Sequence, residues 1–293
     1  MYRVGLIGTE NSHAMAFARY FNLPREDGSH NEPEFRVTAV YGPDPESTRA
    51  IQAAVPGVEI AGTTDELAEK ADCVMITCRK GSLHHDHAVK FARLGMPLFV
   101  DKPFTSDVGE ALGLIAAAAE HNVPLVGGSS VKYSPDVPAL REKIERGLAE
   151  GTLSSAVIHY AADLASVYDG FWFYASHSVE LMFALFGYGV RRVTADANGR
   201  AVTAVVSYDR LDVTLQYNPD CYAPGILLVG RNGAEHRMIS MDGIFDAEAG
   251  HFAEMVRTGR PNQTPEELVR PVILIDAILR AAKEGRQIAL SLE

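Results

Sequence analysis

Residues 3–22 read RVGLIGTENSHAMAFARYFN: an apolar strand, a single glycine, then an amphipathic helix. A strand passing through a tight glycine turn into a helix is the opening unit of a doubly wound α/β sheet. The chain then keeps the alternation. FRVTAVYG precedes PESTRAIQAAV, DCVMITC precedes LHHDHAVKFARLG, PLFVDKP precedes VGEALGLIAAAAEHN, and VPLVGGS closes the series. Strands of continuous apolar character separated by such helices imply parallel pairing, because only a sheet covered on both faces buries them. The strand order expected is 3-2-1-4-5-6. LPREDGSHNEPE (23–34) carries little apolar surface and reads as a surface loop in the first crossover.

Beyond Gly128 the pattern changes. A helix in PDVPALREKIERGLAEG leads to the alternating strand SSAVIHYAA, an aromatic-rich helix in GFWFYASHSVELMFALFG, and the strands VRRVTADA, AVTAVVSYD, LDVTLQYN and GILLVGR. Asn198-Gly199 and Asn232-Gly233 are hairpin signals. TPEELVRPVILIDAILRAAKEG reads as one long helix, opened by a Thr264/Glu267 capping box, carrying Pro271 near its start and ending at Gly285. The fold class is therefore α/β over residues 1–127, followed by an α+β domain with a mainly antiparallel open sheet over 128–293.

Length and composition agree with two domains: 293 residues, 47% apolar, suffice for a large core. Asp plus Glu outnumber Lys plus Arg by 38 to 27, and the resulting charge of -11 argues against nucleic acid or an anionic membrane surface as partner. No apolar run approaches the ~20 residues of a membrane span. The three cysteines, Cys73, Cys78 and Cys221, have neither metal nor disulfide spacing, and the N-terminus enters a strand directly. Both features place the chain in the reducing cytoplasm.

In a dinucleotide-binding turn the first glycine makes the bend, the second admits the pyrophosphate, and the third lets the helix pack on the strand. Here Gly8 keeps the first place, but the frame continues Thr9-Glu10-Asn11-Ser12-His13. A carboxylate about 4 Å from a phosphate, at an effective dielectric near 20, is repelled by roughly 4 kcal/mol, nearly three decades of affinity. Either Glu10 points away or the ligand sits differently. Where an acid would grip a ribose, the second strand ends with Tyr41 and Gly42; Asp44 follows as a turn residue, and the choice between NAD and NADP stays open.

PLFVDKPF sets Asp101-Lys102-Pro103 at the carboxyl end of a buried strand, where open α/β sheets bind ligands. With SLHHDHAVKFARLGM before it and TSDVGEA after it, this segment resembles the signature of the glucose-fructose oxidoreductase, inositol dehydrogenase and MocA (Gfo/Idh/MocA) family. His84 stands eleven residues before Gly95, as that family's helix-opening histidine does. VPLVGGSSVKYSP resembles its inter-domain segment and ASHSVELMFALFG its H-x-x-D helix, with Glu180 for the aspartate; HFAEMVRTGRPNQTPEELVRPVILIDAILRAAKEGRQIAL resembles its ending.

The resemblance implies a Rossmann domain binding NAD(H) or NADP(H), a sheet domain, and oxidoreduction of a sugar-like or small hydroxy/oxo substrate. It further implies a homodimer or homotetramer joined through the open sheet face. It places Gly8, Thr9, Glu10, Asn11, Ser12, His13, Gly42, His84, Asp101 and Lys102 at the cofactor, and Lys132, Tyr133, Trp172 and Glu180 at the substrate. Lys102 and His177 become the catalytic pair: neutral His177 accepts the hydroxyl proton while Lys102 stabilises charge on oxygen. Relatives carry an aspartate four residues before that histidine, where this chain has Phe173; Tyr174 is the preferred substitute, with Glu180 on the same face. Two rival expectations are a ligand-binding member that has lost redox turnover, and a lyase or hydrolase using Glu10, His13, His84 and His87. No metal is assigned.

Overall fold

A computed structural model describes residues 1–290. Two compact units emerge, Met1–Gly128 with Phe245–Leu268, and Ser129–Ile244 with the remainder from Val269.

In the first unit the order is β1 (Tyr2–Ile7), α1 (Ser12–Asn22), β2 (Phe35–Tyr41), α2 (Pro45–Ala54), β3 (Glu59–Ile60), α3 (Thr64–Glu69), β4 (Cys73–Ile76), α4 (His84–Arg93), β5 (Leu98–Asp101), α5 (Val108–Glu120) and β6 (Leu125–Gly128). The strands form one parallel sheet in the order β3-β2-β1-β4-β5-β6, and 23–34 is a loop, as expected. Gly8 makes the turn with φ of +92°, and a Cβ there would meet Cys78 N at 2.3 Å, so both conformation and space demand glycine. Asn11 caps α1 by accepting the His13 N–H, and α1 turns Ala14, Phe17, Ala18 and Phe21 into the core.

The second unit opens with α6 (Val137–Ala149), β7 (Leu153–Tyr160), α7 (Trp172–Phe186), β8 (Arg192–Asn198), β9 (Ala201–Ser207), β10 (Asp212–Tyr217), β11 (Gly225–Gly230) and β12 (Gly233–Met238). α8 (Ile244–Thr258), α9 (Pro265–Glu284) and β13 (Ile288–Ala289) complete the described chain. The sheet runs β12-β11-β7-β10-β9-β8-β13. Most pairs are antiparallel, but β7 and β10 run parallel, so the sheet is mixed. Both hairpins form, pairing Asn198 with Ala201 and Gly230 with Gly233. The capping box of α9 closes reciprocally: Thr264 N–H donates to Glu267 Oε2 at 2.7 Å, and Glu267 N–H to Thr264 Oγ1 at 3.3 Å.

The first unit is discontinuous in sequence. Nearly all of α8 returns to it, and Ala249, Phe252, Ala253 and Met255 join Phe17, Phe21, Phe35 and Phe99 in one apolar cluster. A boundary at 127/128 does not contain this return. Among the described residues no helix is long and apolar enough to cross a membrane.

Candidate active site

Lys102 follows β5 directly and is buried, 2% exposed, as is Asp101 before it. The Asp101 carboxylate is filled from inside the unit. Oδ1 accepts the Lys102 N–H at 2.7 Å, Oδ2 accepts Asn11 Nδ2–H at 3.1 Å, and His13 Nδ1 stands 2.7 Å from Oδ2. Burial alone would raise this carboxyl, but His13 and Lys102 hold it below its ordinary value. His13, standing where a third glycine would pack the helix, thus fills that space with an imidazole against Asp101 and, at 4.5 Å between ring centres, Phe245.

Burial pushes the Lys102 amine down to about 8; the nearby Asp101 and Glu248 oppose that fall, and Arg79 adds to it. Glu248, buried on α8, went unnoticed in the sequence because its helix lies far along the chain. An amine so placed exchanges a proton near neutral pH.

Glu10 leans toward the exit of β4: Oε1 accepts the Arg79 N–H at 3.1 Å, and Oε2 is buried without a hydrogen-bond partner. Thr9 Oγ1 lies 2.7 Å from Thr48 Oγ1 and 3.2 Å from Ser47 Oγ, and a Cβ on Gly42 would meet it at 2.0 Å. Asp44 caps α2, accepting from Glu46 and Ser47 N–H, and the Ser47 side chain together with these bonds holds its carboxyl below the usual range. His84 is wholly buried, its ring nitrogens 2.8 Å from Pro103 O and 2.9 Å from Cys78 O; it ties the exits of β4 and β5 together. His13 and His84 are therefore committed within the fold. Among the described residues no three His, Cys, Asp or Glu groups converge as a metal would require.

The Gly8 turn, the α1 N-terminus after it and the edge between β1 and β4 are features with which a doubly wound sheet can hold a pyrophosphate, and the carboxylate at Glu10 is drawn toward Arg79 N–H.

The second unit carries its own buried polar network. Ser129 Oγ lies 2.7 Å from His177 Nδ1, and Ser129 N–H donates to Glu180 Oε1 at 2.7 Å. Lys132 Nζ donates to Glu180 Oε2 at 2.9 Å and lies 5.3 Å from the Tyr133 ring centre. Glu180 and Lys132 thus bind each other. His177 is 5% exposed, between the rings of Tyr160 at 5.6 Å and Tyr174 at 5.2 Å. Tyr174 also lines a cavity of about 320 Å³ with Tyr168, Phe173 and Tyr222, while Trp172, part-exposed, begins α7. Ser129 is a second residue that sequence reasoning missed: a serine in a Ser-Ser pair gives no signal of a partner 48 positions on.

Residues 2–129 match the family model described as an oxidoreductase family with an NAD-binding Rossmann fold. An uncharacterized oxidoreductase of Streptococcus pneumoniae is 27% identical over 150 residues, 50% of this chain and 37% of that protein. An inositol 2-dehydrogenase of Cereibacter sphaeroides is 28% identical over 151 residues, 50% of this chain and 42% of its own length. The match thus spans less than half of either relative. The WlbA dehydrogenase of Bordetella pertussis, solved with NADH and UDP-GlcNAcA, superposes with a TM-score of 0.81 at 18% identity, over 100% of this chain and 99% of its own, a likeness of fold. The β1–α1 turn, the strand order and the Asp101-Lys102-Pro103 exit agree with that match: residues 2–129 form a Rossmann unit similar to the NAD-binding unit of the Gfo/Idh/MocA oxidoreductase family.

Proposed function

We propose that this chain is a dehydrogenase or reductase that uses NAD(H) or NADP(H) on a sugar-like or other small hydroxy/oxo substrate. The observation that carries the reading is Lys102: a buried amine at the carboxyl end of a central parallel strand, drawn down to about 8 by its burial. The dinucleotide, when bound, supplies or accepts the hydride. Gly8 to Ser12 and the start of α1 hold its pyrophosphate. Lys102 and His177 are the catalytic residues, and the aromatic cavity beside Tyr174 receives a ring-shaped substrate. The inositol 2-dehydrogenase match supports a polyol or sugar ring. Free Cys73, Cys78 and Cys221 accord with a cytoplasmic protein, and the β7–β12 side of the sheet is the face through which two or four copies assemble.

A panel of polyols, sugars and hydroxy acids, incubated with NAD or NADP and followed by nicotinamide absorbance, tests the activity. Turnover of at least one compound by the wild-type chain and none by Lys102→Met is expected. Equal turnover by both would refute the role of Lys102.

A further inference from the structure

The network around Ser129 fixes more than the position of His177. A serine hydroxyl has one hydrogen to give and lone pairs with which to receive. Among the described residues, Ser129 Oγ meets one donor, Val131 N–H at 3.2 Å, and one group able to accept, His177 Nδ1 at 2.7 Å. Glu180 is not a rival acceptor for that hydrogen; its oxygens receive Ser129 N–H and Lys132 Nζ. Turning the hydroxyl round to receive an Nδ1–H would strand its own hydrogen in a fully buried position, at about 1–3 kcal/mol. Phe173, one turn before His177, supplies no carboxylate to favour that arrangement. The satisfied geometry has Ser129 O–H donating to a bare Nδ1, which puts the ring hydrogen on Nε2.

We infer that Ser129 is a positioning residue that holds His177 as the neutral Nε2–H tautomer, so that His177 serves as a hydrogen-bond donor to a substrate oxygen and not as the base. The inference rests on the oxidoreductase reading and reverses the division of labour in which His177 is the base. His177 keeps its proton throughout as a fixed donor that strengthens as charge gathers on oxygen.

NMR of the full chain labelled with nitrogen-15 histidine, with His177→Gln to identify the resonance, reads the tautomer without substrate or dinucleotide. A hydrogen on Nε2 and a bare Nδ1 are expected near neutral pH, and Ser129→Ala should lose that single form. In turnover, Ser129→Ala should lower kcat about tenfold with KM little changed, and His177→Gln, whose amide still offers an N–H, should stay within about tenfold of wild type. His177→Leu should lose roughly a hundredfold or more. A hydrogen on Nδ1 in the wild-type chain, or His177→Gln as inactive as His177→Leu, overturns the inference. Because the tautomer is read on the free protein, its failure is separable from failure of the oxidoreductase reading, which dinucleotide titration tests on its own.

Discussion

Each unit sets a lysine beside a buried carboxylate, and the two pairs differ in one respect. In the second unit Glu180 accepts Lys132 Nζ directly at 2.9 Å, so the lysine closes an ion pair inside the fold. In the first unit Asp101 is supplied by Asn11, His13 and the Lys102 backbone N–H. The Lys102 amine feels Asp101 and Glu248 as nearby charges while burial draws it to about 8. The two carboxylates thus differ in the donors that fill them, and Asp101 raises the Lys102 amine against the fall that burial imposes.

The comparison can be broken from either side. Replacing Lys102 with Met should lower turnover by about a thousandfold or more, the range of a positioned acid–base group, while dinucleotide affinity changes only a few-fold; a matched loss of affinity would make Lys102 a binding residue instead. Lys132→Met should act on stability, leaving a buried Glu180 charge uncompensated at about 3–5 kcal/mol, read as a lower denaturant midpoint. The double change Lys132→Met/Glu180→Leu should recover much of that loss, and a Lys132→Met chain as stable as wild type would contradict the pairing.

The pH dependence distinguishes the two lysines further. With Lys102 in its proposed role of proton acceptor, the oxidation rate should rise with pH through about 8, and reduction should fall through the same range. Stability carries the same sign as oxidation. Above about 8 the folded Lys102 has lost its proton while the unfolded one, at its ordinary value of 10.5, keeps it; the unfolded chain binds more protons, and stability rises with pH across that window. Lys102→Met should remove this rise, and a rise that survives the substitution would assign it to another group. The smallest effect belongs to Glu10→Gly, which removes a carboxylate already leaning toward Arg79 and should tighten dinucleotide binding by about tenfold, measured calorimetrically. Unchanged affinity would remove Glu10 from the ligand's neighbourhood.

Much of this was legible because its causes are local. The Gly8 turn, the strand order, the two hairpins and the Thr264/Glu267 box each follow from a few adjacent residues. Lys102 at a strand exit follows from β5 and the proline after it. What escaped depends on distant segments meeting. Glu248 reaches the first unit because Phe252 and its neighbours on α8 complete an apolar core begun by α1 and β2. The parallel β7–β10 pair likewise has no local signature, since alternation along a strand does not reveal its neighbour's direction. The contacts of the buried His84 ring to the Cys78 and Pro103 carbonyls escaped as well, because those partners become neighbours only when β4 and β5 pair.

The account stands most directly on whether the β1–α1 turn takes a dinucleotide despite Glu10 and His13. Titration of NADH and of NADPH into the purified chain, followed by nicotinamide fluorescence, measures this without a substrate. Saturable binding of at least one of them, tighter in Glu10→Gly, is the predicted result. No binding of either at millimolar concentration would contradict the account.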